Sequence, residues 1–360
     1  MRTVISSFLS VLLLLRLSAA SPGDRALQFT NCVSQCEAAE CNPLQNGTLP
    51  FLLQLTRWTC ADDCKYTCMH SITDEAVVHG QPVQQYYGKW PFWRLAGMQE
   101  PASVAFSLLN LWSHVRGAAK IRRWVPKDHP MRPYYLTWSF VSVNAWIWSS
   151  VFHTRGECDR CIHASGDCPD GFTDLPVTEK LDYFAAALAI MYALYYTTLR
   201  VFHLYPIRET SRLTLTSKTT GFRIGRLLAA TCTLAYIGHV SYLTLLPRFD
   251  YTYNMAFNLA VGLTHNFFWI AYALPASWSI FRRFPGRPNS YRPSFVNHAA
   301  LFVLLTTLAT TLELFDFPPW GRVIDAHALW HLATAPIALL WYDFLVADSL
   351  DVSWREQRLS

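Results

Sequence analysis

The stretch YTYNMAFNLAVGLTHNFFWIAYALPASWSIF, residues 251–281, decides the fold, because its 31 residues contain no Asp, Glu, Lys or Arg. A helix needs about 20 predominantly apolar residues to cross the hydrocarbon core of a bilayer. Three further stretches of membrane-spanning length, residues 134–152, 227–246 and 293–312, are equally free of these charged residues. The sequence therefore predicts a membrane protein built from long apolar helices.

The composition of the whole chain agrees with this prediction. Of its 360 residues, 52% are hydrophobic and 15% are charged, whereas a soluble domain is about a quarter charged. These fractions argue against a soluble enzyme and exclude a disordered chain. We predict an all-α membrane protein, a seven-transmembrane helix bundle whose spans lie approximately at residues 98–115, 134–153, 182–202, 227–246, 254–280, 295–314 and 326–346.

The first of these spans is the weakest. Its uncharged core, residues 101–115, is short. A re-entrant or interfacial helix is therefore an alternative to a spanning helix at this position.

The basic residues predict how the bundle is oriented in the membrane. The loops at 116–133, 204–226 and 282–294 hold 15 Lys or Arg, whereas the loops at 154–181, 247–253 and 315–325 hold 5. Cytoplasmic loops carry the excess of Lys and Arg, so the first set is predicted to face the cytosol and the second the lumen. The tail, residues 347–360, is then cytosolic. We interpret the net charge of +5 as a topology signal and not as a sign of nucleic-acid binding.

The N-terminal part is predicted to be luminal. Residues 1–20 have the basic start, apolar core and small-residue end of a secretory signal peptide. In residues 21–97 we predict a small cysteine-rich luminal domain, with a glycosylation site at Asn46. Its six cysteines allow 15 pairings, and in an oxidising compartment three disulfides are favoured over a zinc site: Cys32, Cys36, Cys41, Cys60, Cys64 and Cys68.

The cluster of polar residues that most clearly suggests a functional site lies at the start of the seventh span. His327 and His331 are four residues apart, so a helix presents both on one face, where two imidazoles can bind one metal ion. Ser149 and His153 have the same spacing at the end of the second span. The predicted topology places His153, His327 and Asp182 at the same luminal depth. Ionisable residues inside a membrane are costly, so this convergence predicts a metal site.

Packing is the simpler interpretation of other residues. A single intramembrane histidine is more often a hydrogen-bonded packing residue than a ligand, and we interpret five in this way: His114, His203, His239, His265 and His298. Asp182 could simply complement a helix dipole. Seven tryptophans are interpreted as interfacial or lipid-facing residues: Trp138, Trp146, Trp148, Trp269, Trp278, Trp330 and Trp341.

Eight short sequence motifs lie between residues 32 and 350. They are CVSQC (32–36), WTCADDCKY (58–66), GKWPF (88–92), QEPAS (99–103), NAWIWS (144–149), FHTR (152–155), TEKLDYF (178–184) and DAHALWH (325–331). Their joint order resembles the post-GPI-attachment-to-proteins factor 3 family, whose fungal members process GPI anchors, within the CREST superfamily of seven-span hydrolases and receptors. The stretch 156–172, with Cys158, Cys161 and Cys168, departs from the family pattern.

The resemblance also implies a site. The superfamily is characterised by one Ser, one Asp and three His, and its ceramidase branch uses the histidines as zinc ligands. Carried over to this sequence, it implies Ser149 and Asp182 as catalytic residues and His153, His327 and His331 as ligands of Zn²⁺. Asp182 is the expected base. Ser149 is expected to donate a hydrogen bond and not to act as the nucleophile, because the nearby histidine is committed to the metal.

The expected activity is a phospholipase A2-type hydrolysis in the endoplasmic reticulum membrane, with the Golgi as the alternative location. It would remove the sn-2 acyl chain from the phosphatidylinositol of GPI-anchored proteins, so these proteins and membrane lipid are the expected partners. A seven-span receptor, a metal-homeostasis protein and a ceramidase-like amidase remain alternatives.

Overall fold

A computed structural model describes residues 21–41, 49–155, 175–205, 215–246, 249–275 and 290–356, with residue pairs at 277–278, 283–284 and 287–288. The predicted signal peptide, Asn46 and the stretch 156–172 with its three cysteines lie outside the described residues. Across these ranges the chain is helical, and the extended pairing that they contain is limited to isolated bridges. The prediction of an all-α protein is confirmed.

Three disulfides join two antiparallel helices near the N-terminus. These helices are α1 (Leu27–Glu40) and α3 (Cys60–Val78), and the short α2 (Phe51–Leu55) lies between them in sequence. A capping box starts α3, since Thr59 and Asp62 each accept a hydrogen bond from the backbone N–H of the other. Spacings close to one helical turn put the cysteines of each helix on one face. The predicted disulfides are confirmed, and their pairing is nested: Cys32–Cys68, Cys36–Cys64 and Cys41–Cys60.

Seven long helices follow, one at each predicted span. They are α4 (Pro101–Trp124), α5 (Arg132–Thr154), α6 (Leu175–Val201), α7 (Leu215–Leu245), α8 (Tyr251–Ala273), α9 (Val296–Leu314) and α10 (Ala326–Leu350), before a short α11 (Ser353–Glu356). Four are long and apolar enough to cross a membrane by length and composition, over Val177–Val201, Arg223–Leu245, Val296–Leu314 and Ala326–Leu350. The count of seven spans therefore stays a prediction.

Six of the long helices close a ring. α4 packs against α5 and α10, α5 packs against α6, and α9 packs against α10. α8 packs against both α6 and α9, which completes the ring in the order α4, α5, α6, α8, α9 and α10. α7 packs against α6, and only 11% of its apolar span is buried within the protein. Most of that helix is therefore available to lipid.

The first predicted span is a continuous helix. α4 runs nine residues past the predicted end at residue 115. At 1.5 Å per residue its 24 residues cover about 36 Å, so it is long enough to cross the hydrocarbon core. This length favours a spanning helix over a re-entrant one. The basic residues between 116 and 123 that were counted as loop residues lie on its last turns.

Small residues let α4 approach α10 closely. A Cβ atom added to Gly117 would lie 2.0 Å from the Tyr342 ring, so only glycine fits at this crossing. The Tyr342 hydroxyl is hydrogen-bonded to Ser139 on α5 at 2.9 Å and to His114 on α4 at 3.0 Å. The three helices are therefore joined by one buried tyrosine.

The interpretation of the tryptophans is wrong for three of them. Trp269 and Trp341 are fully buried, and Trp138 is 9% exposed. Trp341 stacks on Phe302 with ring centroids 4.0 Å apart, and its indole N–H donates to the Tyr196 hydroxyl at 2.8 Å. Buried aromatic rings such as these form much of the core between the helices. Trp278, which is 74% exposed, agrees with the interpretation.

Residues 21–41 and 49–100, here called the N-terminal segment, pack onto one end of the bundle. Arg155 at the end of α5 pairs with Asp62 of α3 at 2.7 Å, and Arg322 before α10 pairs with Asp74 of α3 at 2.6 Å. The backbone N–H of Glu100 donates to the carbonyl of His153 at 3.1 Å. We call this end the cysteine-rich end and the other the opposite end.

Candidate metal centre

Three histidines meet at the cysteine-rich end of the bundle. His327 Nε2 lies 3.2 Å from His153 Nε2 and 2.8 Å from His331 Nε2. One ligand nitrogen from each histidine lies within 4.8 Å of the other two. His153 and His331 are almost fully buried, and His327 is partly buried. The structure therefore brings together the three histidines named as metal ligands.

Two local features place the histidines on their helices. Asp325 accepts a hydrogen bond from the backbone N–H of Ala328 at 2.8 Å, so it caps α10 and sets where this helix starts. From that start, His327 and His331 share the face that points towards α5. His153 lies on the last turn of α5, next to the backbone hydrogen bond with Glu100.

Each histidine is held from behind through its Nδ1 atom. Nδ1 of His153 bonds Glu100 at 2.8 Å, Nδ1 of His327 bonds Glu313 at 2.7 Å, and Nδ1 of His331 bonds the Ser107 hydroxyl at 2.9 Å. When Nδ1 donates its proton to a carboxylate, the neutral ring turns an Nε2 lone pair towards its neighbours. Lone pairs that face one another repel. A proton can bridge one pair of nitrogens, whereas a metal ion can bind all three.

Glu100 is itself held by Lys89. Its second carboxylate oxygen accepts a hydrogen bond from the Lys89 ammonium, and both side chains are largely buried. Lys89 also lies over the Phe152 ring, 4.4 Å from its centroid. The Lys89 ammonium of the N-terminal segment is thus linked to His153 through the Glu100 carboxylate.

Asp182 lies near the three histidines without joining them. It is partly buried on α6, and the ring of its neighbour Tyr183 lies 6.3 Å from that of Phe152, the residue before His153. In the described part of the chain, the group of ligand atoms within 4.8 Å consists of the three histidine nitrogens. Asp182 is therefore placed as a neighbour of the centre and not as a ligand.

Ser149 is connected to the histidines through one intervening residue, Ser107. Its buried hydroxyl is 2.9 Å from the Ser107 hydroxyl, which in turn bonds His331. This contact favours a positioning role for Ser149 over direct donation to a substrate.

Four of the residues around the centre were not predicted as site residues: Lys89, Glu100, Ser107 and Glu313. Lys89 and Glu100 lie inside the motifs GKWPF and QEPAS, but nothing in those motifs indicates their contacts. Glu313 is the only charged residue in the predicted span 295–314, and this was the available signal. Ser107 has no sequence signal beyond its place on the small-residue face of α4.

Two other buried histidines have protein partners. His114 bonds the Tyr342 hydroxyl, and His265 accepts a hydrogen bond from the indole N–H of Trp269 at 3.2 Å. These contacts agree with the packing interpretation. The candidate centre differs from them because the Nε2 atoms of its three histidines lie next to one another.

The fold and the site define a class of protein: a helical membrane protein with disulfide-linked helices at one end and a buried three-histidine centre beneath them. The model of the Per1-like family matches residues 50–158 and 171–349. The chain belongs to this family. No solved structure matches it.

Named relatives match over most of the chain. The Protein PER1 homolog of Schizosaccharomyces pombe is 39% identical over 339 residues, which cover 94% of this chain and 90% of the relative. The human GPI-specific phospholipase A2-like PGAP3 is 37% identical over 341 residues, covering 93% and 91%. Post-GPI attachment to proteins factor 3 of Drosophila melanogaster is 38% identical over 335 residues, covering 90% and 88%. The family named from the sequence motifs is thus confirmed.

Proposed function

We propose that this protein remodels GPI anchors by hydrolysing the sn-2 ester of their phosphatidylinositol at a zinc centre on the luminal side of the membrane. The observation that carries the proposal is the meeting of three Nε2 atoms from His153, His327 and His331. Relatives that are named GPI-specific phospholipase A2-like support the substrate class.

The donor set suits zinc. Three nitrogens bonded at about 2.0–2.1 Å to a tetrahedral ion stand about 3.3 Å apart, and the Nε2 separations are 3.2 Å and 2.8 Å. When bound there, zinc supplies a Lewis acid that polarises an ester carbonyl and lowers the pKa of a coordinated water.

The protein groups behind the histidines hold them in position. Glu100, Glu313 and the Ser107 hydroxyl each bond one Nδ1 atom, so each ring keeps its orientation and its tautomer. Lys89 fixes Glu100, and Ser149 fixes Ser107. Ser149 acts in this proposal as a positioning residue.

Asp182 is the group that moves a proton. Its carboxylate accepts a proton from the water that attacks the ester carbonyl carbon, and a new C–O bond forms. The bond from that carbon to the glycerol oxygen then breaks, and Asp182 returns the proton to the departing oxygen. The products are a fatty acid and a lyso-phosphatidylinositol that is still attached to the GPI glycan.

The position of the centre suits this substrate. In the predicted topology the cysteine-rich end faces the lumen, where GPI-anchored proteins are held. Glycerol ester bonds lie close to the headgroup boundary, so a centre at the end of the helices can reach one without extracting the lipid from the bilayer. This orientation can be tested with inserted glycosylation sites, which we expect to be modified at 160–170 and unmodified at 210–220.

Hydrolysis by purified protein tests the proposal. Wild-type protein should release fatty acid from the sn-2 position of a GPI lipid, and Asp182→Asn should keep its metal while turnover falls about 10²- to 10⁴-fold. His265→Ala is the matched control, because this buried histidine has protein partners.

Other outcomes would identify a different function. Full hydrolysis by the double variant His327→Ala/His331→Ala would overturn the mechanism. Preferential hydrolysis of ceramide would make the protein an amidase, and metal content with no turnover of either lipid would favour a receptor.

A further inference from the structure

Four exposed apolar side chains lie at the cysteine-rich end, outside the histidine centre. Three of them are on one face of α2, where Phe51, Leu52 and Leu55 are 73%, 46% and 66% exposed. The fourth is Leu95, which is 61% exposed. We call these four side chains the apolar patch. Single exposed apolar residues are common on proteins, whereas a group of them marks a surface that binds something.

Leu95 belongs to a tight turn that packs on α2. The two ends of this turn, residues 95–98, exchange backbone hydrogen bonds at 2.9 and 3.1 Å. A Cβ atom added to Gly97 would lie 2.8 Å from the carbonyl oxygen of Leu52, so only glycine fits between the turn and the helix. The indole N–H of Trp58 donates to the carbonyl of Gly97 at 2.8 Å. The turn and α2 therefore form one unit that carries the apolar patch.

The polar side chains of α2 and its C-cap bond the backbone of the same segment. The Gln54 amide donates to the carbonyl of Leu49 at 2.6 Å, and the Thr56 hydroxyl donates to the carbonyl of Leu52 at 2.8 Å. The helix itself contains no charged residue. Its outward surface is therefore apolar, which suits an apolar environment better than a polar ligand.

This unit lies at the level where the membrane helices begin and end. Arg155, which follows the last residue of α5, donates to the carbonyl of Thr56 at 3.2 Å. Just after the turn, the backbone N–H of Gln99 donates to the carbonyl of Thr154 at 2.9 Å. α4 begins two residues later, at Pro101. The unit is thus beside the end of α5 and the start of α4, where a bundle that crosses a membrane meets the lipid headgroups.

An exposed apolar face of α5 leads to the same place. Ile147 and Val151 are 45% and 40% exposed, and their spacing puts them on one face with Arg155. His153 is buried on the other side of the helix. Exposed apolar residues on a membrane-spanning helix face lipid. The apolar patch therefore continues a lipid-facing surface past the end of α5.

We propose that the apolar patch inserts into the membrane leaflet at the cysteine-rich end, so that α2 lies between the acyl chains and the headgroups. Helices in this interface bury their apolar faces about 5–10 Å deep. Arg57, an exposed residue just after α2, suits the phosphates of the headgroups. The insertion fixes the depth of the N-terminal segment, which carries the Lys89 that bonds Glu100.

Lipid photolabelling of the full-length protein in nanodiscs tests the proposal. The probe is a phosphatidylcholine with a diazirine near the ester end of one acyl chain, and mass spectrometry identifies the labelled residues. We expect labelling of Phe51, Leu55 and Leu95, as strong as that of the lipid-facing Val151. Leu27 is the negative control, because it is 73% exposed at the start of α1, which packs against α3.

Variants at one position connect the labelling to the patch. Leu55→Asp places a carboxylate in the interface, so labelling of Leu95 should fall about 10-fold or more. Leu55→Met is the matched control and should keep the wild-type labelling. Because Leu55 is exposed, both variants should fold, and mapping of the three disulfides verifies this.

Three results would overturn the proposal: an unlabelled patch beside a labelled Val151, equal labelling of Leu27, or wild-type labelling in Leu55→Asp. If the patch is unlabelled and Leu55→Asp also converts a dimer into a monomer, the patch is instead an interface between two copies of the chain.

Discussion

The two ends of the bundle handle buried ionisable groups in opposite ways. At the opposite end, Arg200 faces Asp348 directly and the two charges cancel within the protein. At the cysteine-rich end, Glu100 and Glu313 lie behind the imidazole rings, and the Nε2 atoms in front face one another. Carboxylates thus complete an ion pair with arginine at one end, and at the other end they orient histidines whose Nε2 atoms face one another.

This difference separates a structural contact from a candidate binding site. A buried pair that is complete requires no further group, and its main effect is on folding. A set of facing lone pairs with carboxylates one ring away is stabilised by a cation from outside the protein. Substitutions at the two ends should therefore change different measured quantities.

The largest effect is expected at the histidine centre. His331→Ala removes one of the three proposed ligands, so the purified protein should change from about one metal ion per chain to almost none. His265→Ala, a buried histidine with protein partners, should leave the metal unchanged. Elemental analysis of both proteins measures the difference. Equal metal in the two variants would remove the distinction between the ends.

Breaking the ion pair at the opposite end should affect stability instead. Asp348→Asn leaves Arg200 buried without its counter-ion, which costs about 3–5 kcal/mol. Asp343→Asn on the same helix is the control, because its pair with Lys120 is exposed and should contribute about 0–1 kcal/mol. Unfolding in detergent measures both, and metal content should stay at the wild-type value. Loss of metal in Asp348→Asn would show that the ends are coupled.

The carboxylates behind the histidines should have an intermediate effect. Glu100→Gln keeps a hydrogen-bond acceptor for His153 but removes the negative charge, so metal affinity should fall about 10- to 100-fold. Glu313→Gln should cost less, because Glu313 is 27% exposed whereas Glu100 is 7% exposed. Competition with a chelator measures the two affinities. The reverse order would mean that burial does not control the strength of these contacts.

The smallest effect concerns a histidine of the N-terminal segment. Burial, with a further contribution from Arg322, lowers the pKa of His70 to about 4, although its hydrogen bond to the carbonyl of Phe92 acts in the other direction. The folded protein then keeps His70 neutral while the unfolded chain protonates it near pH 6.5. Stability from this residue is present above pH 6.5 and is lost as pH falls towards 4.

Melting temperatures between pH 4 and pH 7 test this expectation. His70→Gln should flatten the decline at low pH, and His79→Gln, an exposed residue at the end of the same helix, should leave it unchanged. An unchanged decline in His70→Gln would assign the pH dependence to other groups.

The sequence predicted the helices and the residues of the candidate site. Long apolar runs with few or no charged residues marked all seven long helices, because the hydrocarbon core imposes a minimum length and disfavours charge. The helical period put His327 and His331 on one face, and an even set of cysteines in a segment predicted to be luminal indicated three disulfides. Each of these signals lies within a few helical turns of sequence, so no knowledge of packing is needed to detect it.

The tertiary structure decided which residues contact one another. The nested disulfide pairing required the antiparallel arrangement of α1 and α3, and the burial of Trp269 and Trp341 required the closed ring of helices. Glu100 reaches His153, and Glu313 reaches His327, only because of how α4, α5, α9 and α10 are rotated and offset against one another. Such contacts join residues that are far apart in sequence, and they depend on distances and angles that no local pattern encodes.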